Sequence, residues 1–235
     1  MVRTRRRPGA PPALTQNRSA WTARWERIHA AGTGHDWATQ KAKREMKNPL
    51  LALTWGKCVF CEGRLGSQAY PQIEHYVSRK VAPGRAFEWT NLLPVCQICN
   101  TSKGDADHQG DLLKPDAEDP EPFFWIGPEG GIAPHPRLNA EETRRAAETI
   151  RLCDLNRGGL REDRFVVANS VRRWLGRTAE PVDGLSELVR EEWDELSDPR
   201  FPHKVVVRHV LTLGNSPELA ATDKQLFQRG RPTAG

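Results

Sequence analysis

The sequence predicts an α+β fold: a small cysteine-stapled core, preceded by helices and followed by a mainly helical half. Three observations carry that prediction: two C-x-x-C pairs separated by 34 residues, a β-prone run lodged between them, and helical spacing of apolar residues on either side. At 235 residues the chain can bury a substantial core. No run approaches the roughly 18 consecutive apolar residues of a membrane span, and no apolar signal segment follows the Arg-rich start. A cytoplasmic protein with no membrane attachment is therefore expected. Four of the five cysteines form the two pairs, which suits bound metal in a reducing compartment better than a disulfide framework.

Residues 1–16 hold Arg3, Arg5, Arg6 and Arg7, then Pro8, Pro11 and Pro12, a composition that reads as a basic flexible arm. Residues 17–57 read as a helical segment. Trp21, Trp25 and Ile28 recur at helical spacing between Ser19 and Gly32, and a second helix is expected over 37–47. Asn48-Pro49 reads as the cap and first position of a third helix that runs into Gly56. Residues 58–111 hold the cysteine pairs. Residues 112–235 open Pro-rich and acidic, then supply a strand at 123–126 with a turn over Pro128-Glu129-Gly130-Gly131. Asn139 caps a helix running to about Cys153, and a further helix carries Leu160, Val167, Val171 and Trp174 on one face. A linker is expected over 178–184, then a helix with Leu185, Val189, Trp193 and Leu196, while the run 205–213 suits a buried helix or a strand. Charge is uneven: residues 1–57 carry 12 Lys or Arg against 3 Asp or Glu, whereas residues 58–111 carry 5 against 6. The basicity that attracts phosphate is thus an N-terminal property, although a solvated surface can look the same.

The knuckles Cys58-Val59-Phe60-Cys61 and Cys96-Gln97-Ile98-Cys99 each present two thiols two residues apart, and together they complete a closed tetrahedral site for structural Zn²⁺. Within the gap, Gln72-Ile73-Glu74-His75-Tyr76-Val77 places an acid beside a histidine on a β-prone run. Strand neighbours face opposite ways, so both can serve one site only at a strand end or bulge. A second strand is expected from Trp89 through Asn91 to Cys96, and a short helix from Cys99 to Asp105. The predicted order is strand, long loop, strand, helix.

Glu74-His75, Asn91 and Cys96-Gln97-Ile98-Cys99-Asn100-Thr101-Ser102-Lys103-Gly104-Asp105 resemble, in that order, the three parts of the ββα-metal motif of HNH endonucleases. A wider pattern, Ile73-Glu74-His75-Tyr76, Trp89-Thr90-Asn91-Leu92-Leu93, Leu112-Leu113-Lys114-Pro115 and Leu152-Cys153-Asp154-Leu155-Asn156, resembles the PtuB-type HNH subunit of Septu anti-phage systems. The resemblance implies a zinc-bound ββα-metal core that cuts nucleic acid, DNA ahead of RNA, with an SMC-like ATPase as partner subunit. Self-association into a homo-oligomer stays open. His75 suits the general base, because an imidazole titrates near operating pH. Glu74 and Asn100 offer hard oxygen ligands for catalytic Mg²⁺ (or Mn²⁺). By resemblance, Asn91 bonds across the loop and holds His75. Lys103, Arg79 and Lys80 are the candidate nucleic-acid contacts. Two departures from the pattern stand out: Ser78 replaces a frequent Pro, so the loop is expected to be less rigid, and Glu74 replaces a common Asp. His108 reads as a surface histidine, Trp89 and Trp125 as core, and Cys153 as a buried small hydrophobe. The rival reading is a zinc-stabilised nucleic-acid-binding or assembly module that does not cut. A catalytic zinc fits poorly, since four thiolates leave no open position.

Overall fold

The computed structural model describes residues 1, 4, 9–33, 36–66, 69–108, 110–177 and 187–214. α1 (Pro12–Ala31) opens on prolines, whose fixed φ and missing N–H are tolerated at a helix start. It ends at Gly32, whose φ of 63° returns its N–H to the His29 and Ile28 carbonyls. Residues 12–16, expected in a flexible arm, are therefore helical, held down by the buried Leu14. Arg3, Arg5, Arg6, Arg7 and Pro8 lie outside the described residues.

α2 (Gln40–Leu53) corrects the expected break at Asn48-Pro49, because it is one continuous helix with Pro49 inside it. Thr39 caps it by accepting from the Ala42 N–H at 3.2 Å. Ala42, Met46, Leu50 and Leu53 form one buried stripe across the proline, and this burial outweighs the lost backbone bond.

The centre follows the expected order. β1 (Pro71–His75) pairs antiparallel with β2 (Leu92–Cys96), with Glu74 opposite Leu93 and His75 opposite Leu92. Trp89 to Asn91 form a 3-10 turn rather than strand, and α3 (Gln97–Lys103) follows β2 directly. Ile73 joins an apolar cluster with Trp25, Trp37, Met46, Phe87 and Trp89 under α1 and α2. Leu93 and Val95 join a second cluster around the four cysteines, Leu113 and Cys153. The hairpin is thus covered on both faces.

β3 (Phe124–Ile126) and β4 (Ile132–Pro134) form the expected second hairpin. Its turn needs Gly130: φ is 75°, and a Cβ there would meet the Arg161 carbonyl oxygen at 2.0 Å. α4 (Ala140–Leu152) starts with a capping box between Asn139 and Glu142. α5 (Gly158–Arg177), α6 (Glu187–Ser197) and α7 (Lys204–Gly214) complete the described chain. The run 205–213 is helix, with Val205, Val206, Val207 and Val210 buried against Ile126, Val171 and Trp174. The expected linker at 178–184, Leu185 and the side chain of Val189 lie outside the described residues. Trp89 and Trp125 are buried, as core packing requires. Among the described residues no helix is long and apolar enough to cross a membrane.

Candidate functional site

The two knuckles converge. The sulfurs of Cys58, Cys61, Cys96 and Cys99 all lie within 4.8 Å of one another and all four residues are buried. A tetrahedral ion with bonds of about 2.3 Å needs sulfur pairs about 3.8 Å apart, and Cys61 Sγ stands 3.8 Å from Cys96 Sγ. The four cysteines are placed to hold a zinc ion. The Cys99 N–H donates to Cys96 Sγ at 3.4 Å, and Arg157 Nη1 reaches Cys99 Sγ at 3.7 Å, bringing positive charge to the thiolates. Hydrogen bonding from Cys58 holds the Cys61 thiol down at about 6. Cys153 is buried among apolar neighbours, and burial pushes its thiol up.

His75, the last residue of β1, is 2% exposed. Its Nε2 lies 2.9 Å from the Ala86 carbonyl oxygen. A carbonyl can only accept, so Nε2 carries the proton and Nδ1 presents its lone pair. Nδ1 is buried with no hydrogen-bond partner among the described residues. The Trp37 ring meets the imidazole edge-on at 4.4 Å between centroids. Burial, helped by Arg79, lowers the imidazole to about 3, so it is neutral at pH 7 and, unlike the expectation, does not titrate near operating pH.

Asn91 clamps the loop that carries Ala86. Its Oδ1 accepts from the Val77 N–H at 2.8 Å, and its Nδ2 donates to the Val77 carbonyl at 3.0 Å and the Arg85 carbonyl at 3.2 Å. It does not hydrogen-bond the imidazole; it fixes the backbone on both sides of it. Ser78 does not loosen this loop as expected, because its buried hydroxyl donates to Asp105 Oδ1 at 3.0 Å and accepts from the Lys80 N–H at 3.1 Å.

Glu74 and His75 face opposite ways on the strand. Ile73 and His75 turn towards α2 and Trp37, whereas Gln72 and Glu74 turn towards α3. The Asn100 amide donates to Gln72 Oε1. Glu74 is 6% exposed, and burial, opposed by Lys103, raises its carboxyl to about 7. Lys103 Nζ lies 2.5 Å from Glu74 Oε1 and donates to the His75 carbonyl at 3.0 Å. At 2% exposure Lys103 faces inward, which corrects the expectation that it meets a phosphate. The Glu74 carboxylate draws the ammonium in against the cost of taking it out of water. Lys80 pairs with Asp105 at 2.5 Å and stays exposed. Arg79 lies over the Trp25 ring at 5.6 Å, and its buried Nε has no partner among the described residues.

His108 corrects the surface reading: it is buried, with Nε2 2.7 Å from the Tyr76 carbonyl. Two site features escape sequence reasoning. The Ala86 carbonyl has no side-chain signal, and the Trp37 contact depends on how the segment before α2 packs. Asn156, in the wider pattern, bonds the Ile132 N–H and carbonyl, each at 2.8 Å, and so anchors β4.

Fold and site together define an α+β protein of helices and two small hairpins with a four-cysteine cluster able to hold zinc. No family model matches the chain. The chain is similar to the Septu protein PtuB of Bacillus thuringiensis, 35% identical over 80 residues that cover 33% of this chain and 31% of that protein. It is also similar to the Septu protein PtuB of Bacillus mycoides (strain KBAB4), 27% identical over 200 residues that cover 72% of this chain and 65% of that one. The matched stretch spans less than two thirds of either relative, and over it the chain is PtuB-like.

Proposed function

We propose that the chain is a metal-dependent HNH-type endonuclease that hydrolyses phosphodiester bonds of DNA and acts as the nuclease effector of a Septu-type anti-phage system with an SMC-like ATPase. The likeness to Septu PtuB supports the setting. One observation carries the chemistry: His75 is held neutral by burial, with Nε2–H fixed on the Ala86 carbonyl and Nδ1 left without a partner. Such a group can take a proton from an attacking water and hand it on. Asn91 holds the Ala86 loop, and so fixes which nitrogen is the base.

The donor set at β1 and α3 fits a hard divalent cation, and since Glu74 and His75 face opposite ways, the two serve one reaction only across the end of β1, where His75 is the last residue. Glu74 supplies a buried carboxyl whose burial Lys103 only partly offsets, so a divalent cation would favour its charged form, and Asn100 supplies a neutral amide oxygen. Mg²⁺ or Mn²⁺ held there would offset charge on the phosphoryl and leaving oxygens. Zinc in the cysteine cluster is structural in this reading, tying the two knuckles that flank β1 and β2.

A non-cleaving zinc-stabilised module is the second reading, favoured by Glu74 being engaged by Lys103 and Asn100 by Gln72. A plasmid-nicking assay with Mg²⁺ or Mn²⁺, run with and without the ATPase, separates the two. Nicking by wild type that His75→Ala abolishes supports the enzyme. Equal inertness of both proteins with the partner present favours the module.

A further inference from the structure

Beside the site runs a groove of about 430 Å³, whose lining includes Trp37, Lys43, Arg44, Lys47, Arg79 and Asn100. No carboxylate is among the residues that line it. Three of its cations come from one side of α2. That helix buries Ala42, Met46, Leu50 and Leu53, and at 100° per residue Lys43, Arg44 and Lys47 fall on the adjoining arc. Lys43 and Lys47, four residues apart, are separated by about 6 Å along the helix axis, so they can serve separate phosphates of one strand. Lys43 also pairs with the exposed Asp36 at 3.0 Å, a contact that water screens and an anion can replace. Across the groove stands Arg79, whose Nε has no partner among the described residues. Asn100 is part of its lining, and so is Trp37, whose ring abuts His75.

From this placement we propose that the α2 cations Lys43, Arg44 and Lys47, with Arg79 opposite, form the track that grips the phosphate backbone of a nucleic-acid strand and leads it to His75 and Asn100. The proposal rests on the nuclease reading for its destination, but the grip stands on charge and position alone. Residues 58–111, with 5 basic against 6 acidic side chains, cannot hold a polyanion by charge, and α2 supplies what they lack. The contacts are to backbone phosphates, so they serve any sequence.

The test measures binding of a fluorescent 20-base-pair DNA duplex, its single strand and the matching RNA to the full chain carrying His75→Ala, across a salt series. Adding Lys43→Ala, Arg44→Ala and Lys47→Ala should weaken binding at least about tenfold at low salt. It should also flatten the plot of log affinity against log salt by about 2.7 for duplex or about 2.1 for single strand if all three cations contribute. The pair Arg27→Ala and Lys41→Ala, exposed cations outside the groove lining, should change the slope by less than about 1. Circular dichroism and zinc content confirm that the triple variant is folded. An unchanged slope in a folded triple variant, an equal loss in the control pair, or no binding by the His75→Ala chain at low salt overturns the proposal. If the slope falls as expected yet wild type never nicks DNA, the nuclease reading fails and the track stands. If the triple variant in a wild-type His75 background binds and cuts like wild type, the track fails and the nuclease reading stands.

Discussion

Asn91→Ala is the sharpest test of how the base is held. The side chain makes three hydrogen bonds in a site where Asn91 itself has no exposure: to the Val77 N–H, the Val77 carbonyl and the Arg85 carbonyl. Truncation leaves the Val77 N–H and the Val77 carbonyl without partners, each costing about 1 to 3 kcal/mol if it stays dry, while the Arg85 carbonyl keeps the Glu88 N–H. Water entering the space recovers part of this, so a net loss of about 2 to 4 kcal/mol is expected, a large share of the about 5 to 15 kcal/mol that holds a domain together. In a chain of this size that lowers the melting temperature by about 10 °C. Urea unfolding of the zinc-loaded protein measures the loss. Under conditions where the variant is folded, nicking should fall more than ten-fold, because the loop bearing the Ala86 carbonyl is freed and Nε2 loses its fixed acceptor. A stability loss below about 1 kcal/mol would show that Asn91 is not a clamp. Full nicking activity in a destabilised variant would show that the clamp does not serve His75.

Three further outcomes follow from the same geometry. Metal analysis should find one zinc per chain, and Cys96→Ala should lose both the zinc and the cooperative melt, since structural zinc contributes about 10 to 16 kcal/mol; a variant that retains metal and melts like wild type refutes the cluster. Pro49→Ala should stabilise the protein by about 1 to 3 kcal/mol, because it restores a backbone donor inside continuous α2; a lower melting temperature would mean that the helix breaks there. The third concerns pH. Burial lowers His75 from 6.5 to about 3, so the unfolded chain holds the extra proton in that window and this term loses stability as pH falls. Burial raises Glu74 from 4.5 to about 7, so the folded chain holds the extra proton there and this term loses stability as pH rises. The two oppose each other between 4.5 and 6.5. Glu74→Gln removes the second term, and its stability should fall more steeply than wild type on acidification across that window, by up to about 1.4 kcal/mol per pH unit; parallel stability curves would refute the shifts.

What could be read in advance was whatever a residue type and its spacing dictate locally. Ligand spacing places the four sulfurs, a β-prone run places β1, and Asn139 as a cap places the start of α4. Where two local signals compete, packing decides. Pro49 signals a helix start, but the apolar stripe of Ala42, Met46, Leu50 and Leu53 runs through it, so burial keeps one helix. Long cationic side chains were the least legible. Lys103 ends α3 and Lys80 lies in the loop after β1, yet one is buried against Glu74 and the other exposed against Asp105, and only the depth of the carboxylate distinguishes them. The protonated nitrogen of His75 was beyond sequence altogether, because its partner is the backbone of an alanine.

The proposed separation of chemistry from grip has an electrostatic reason. Lys103 and Arg79 already help to keep His75 neutral, but Lys103 does so while occupying the Glu74 carboxylate. Any further cation buried on the knuckle segment would compete for that carboxylate, which a divalent ion must also engage, and would meet little screening there. Cations on α2 avoid the conflict. They stand where water and salt damp their field within about 8 to 10 Å, close enough to draw a polyanion into the groove and too well screened to capture a buried carboxylate. Under the proposed function and track, the basic excess of residues 1–57 and the slight acidity of residues 58–111 thus become one arrangement once α2 packs beside β1, with the buried segment holding the reacting groups and the helix holding the chain to be cut.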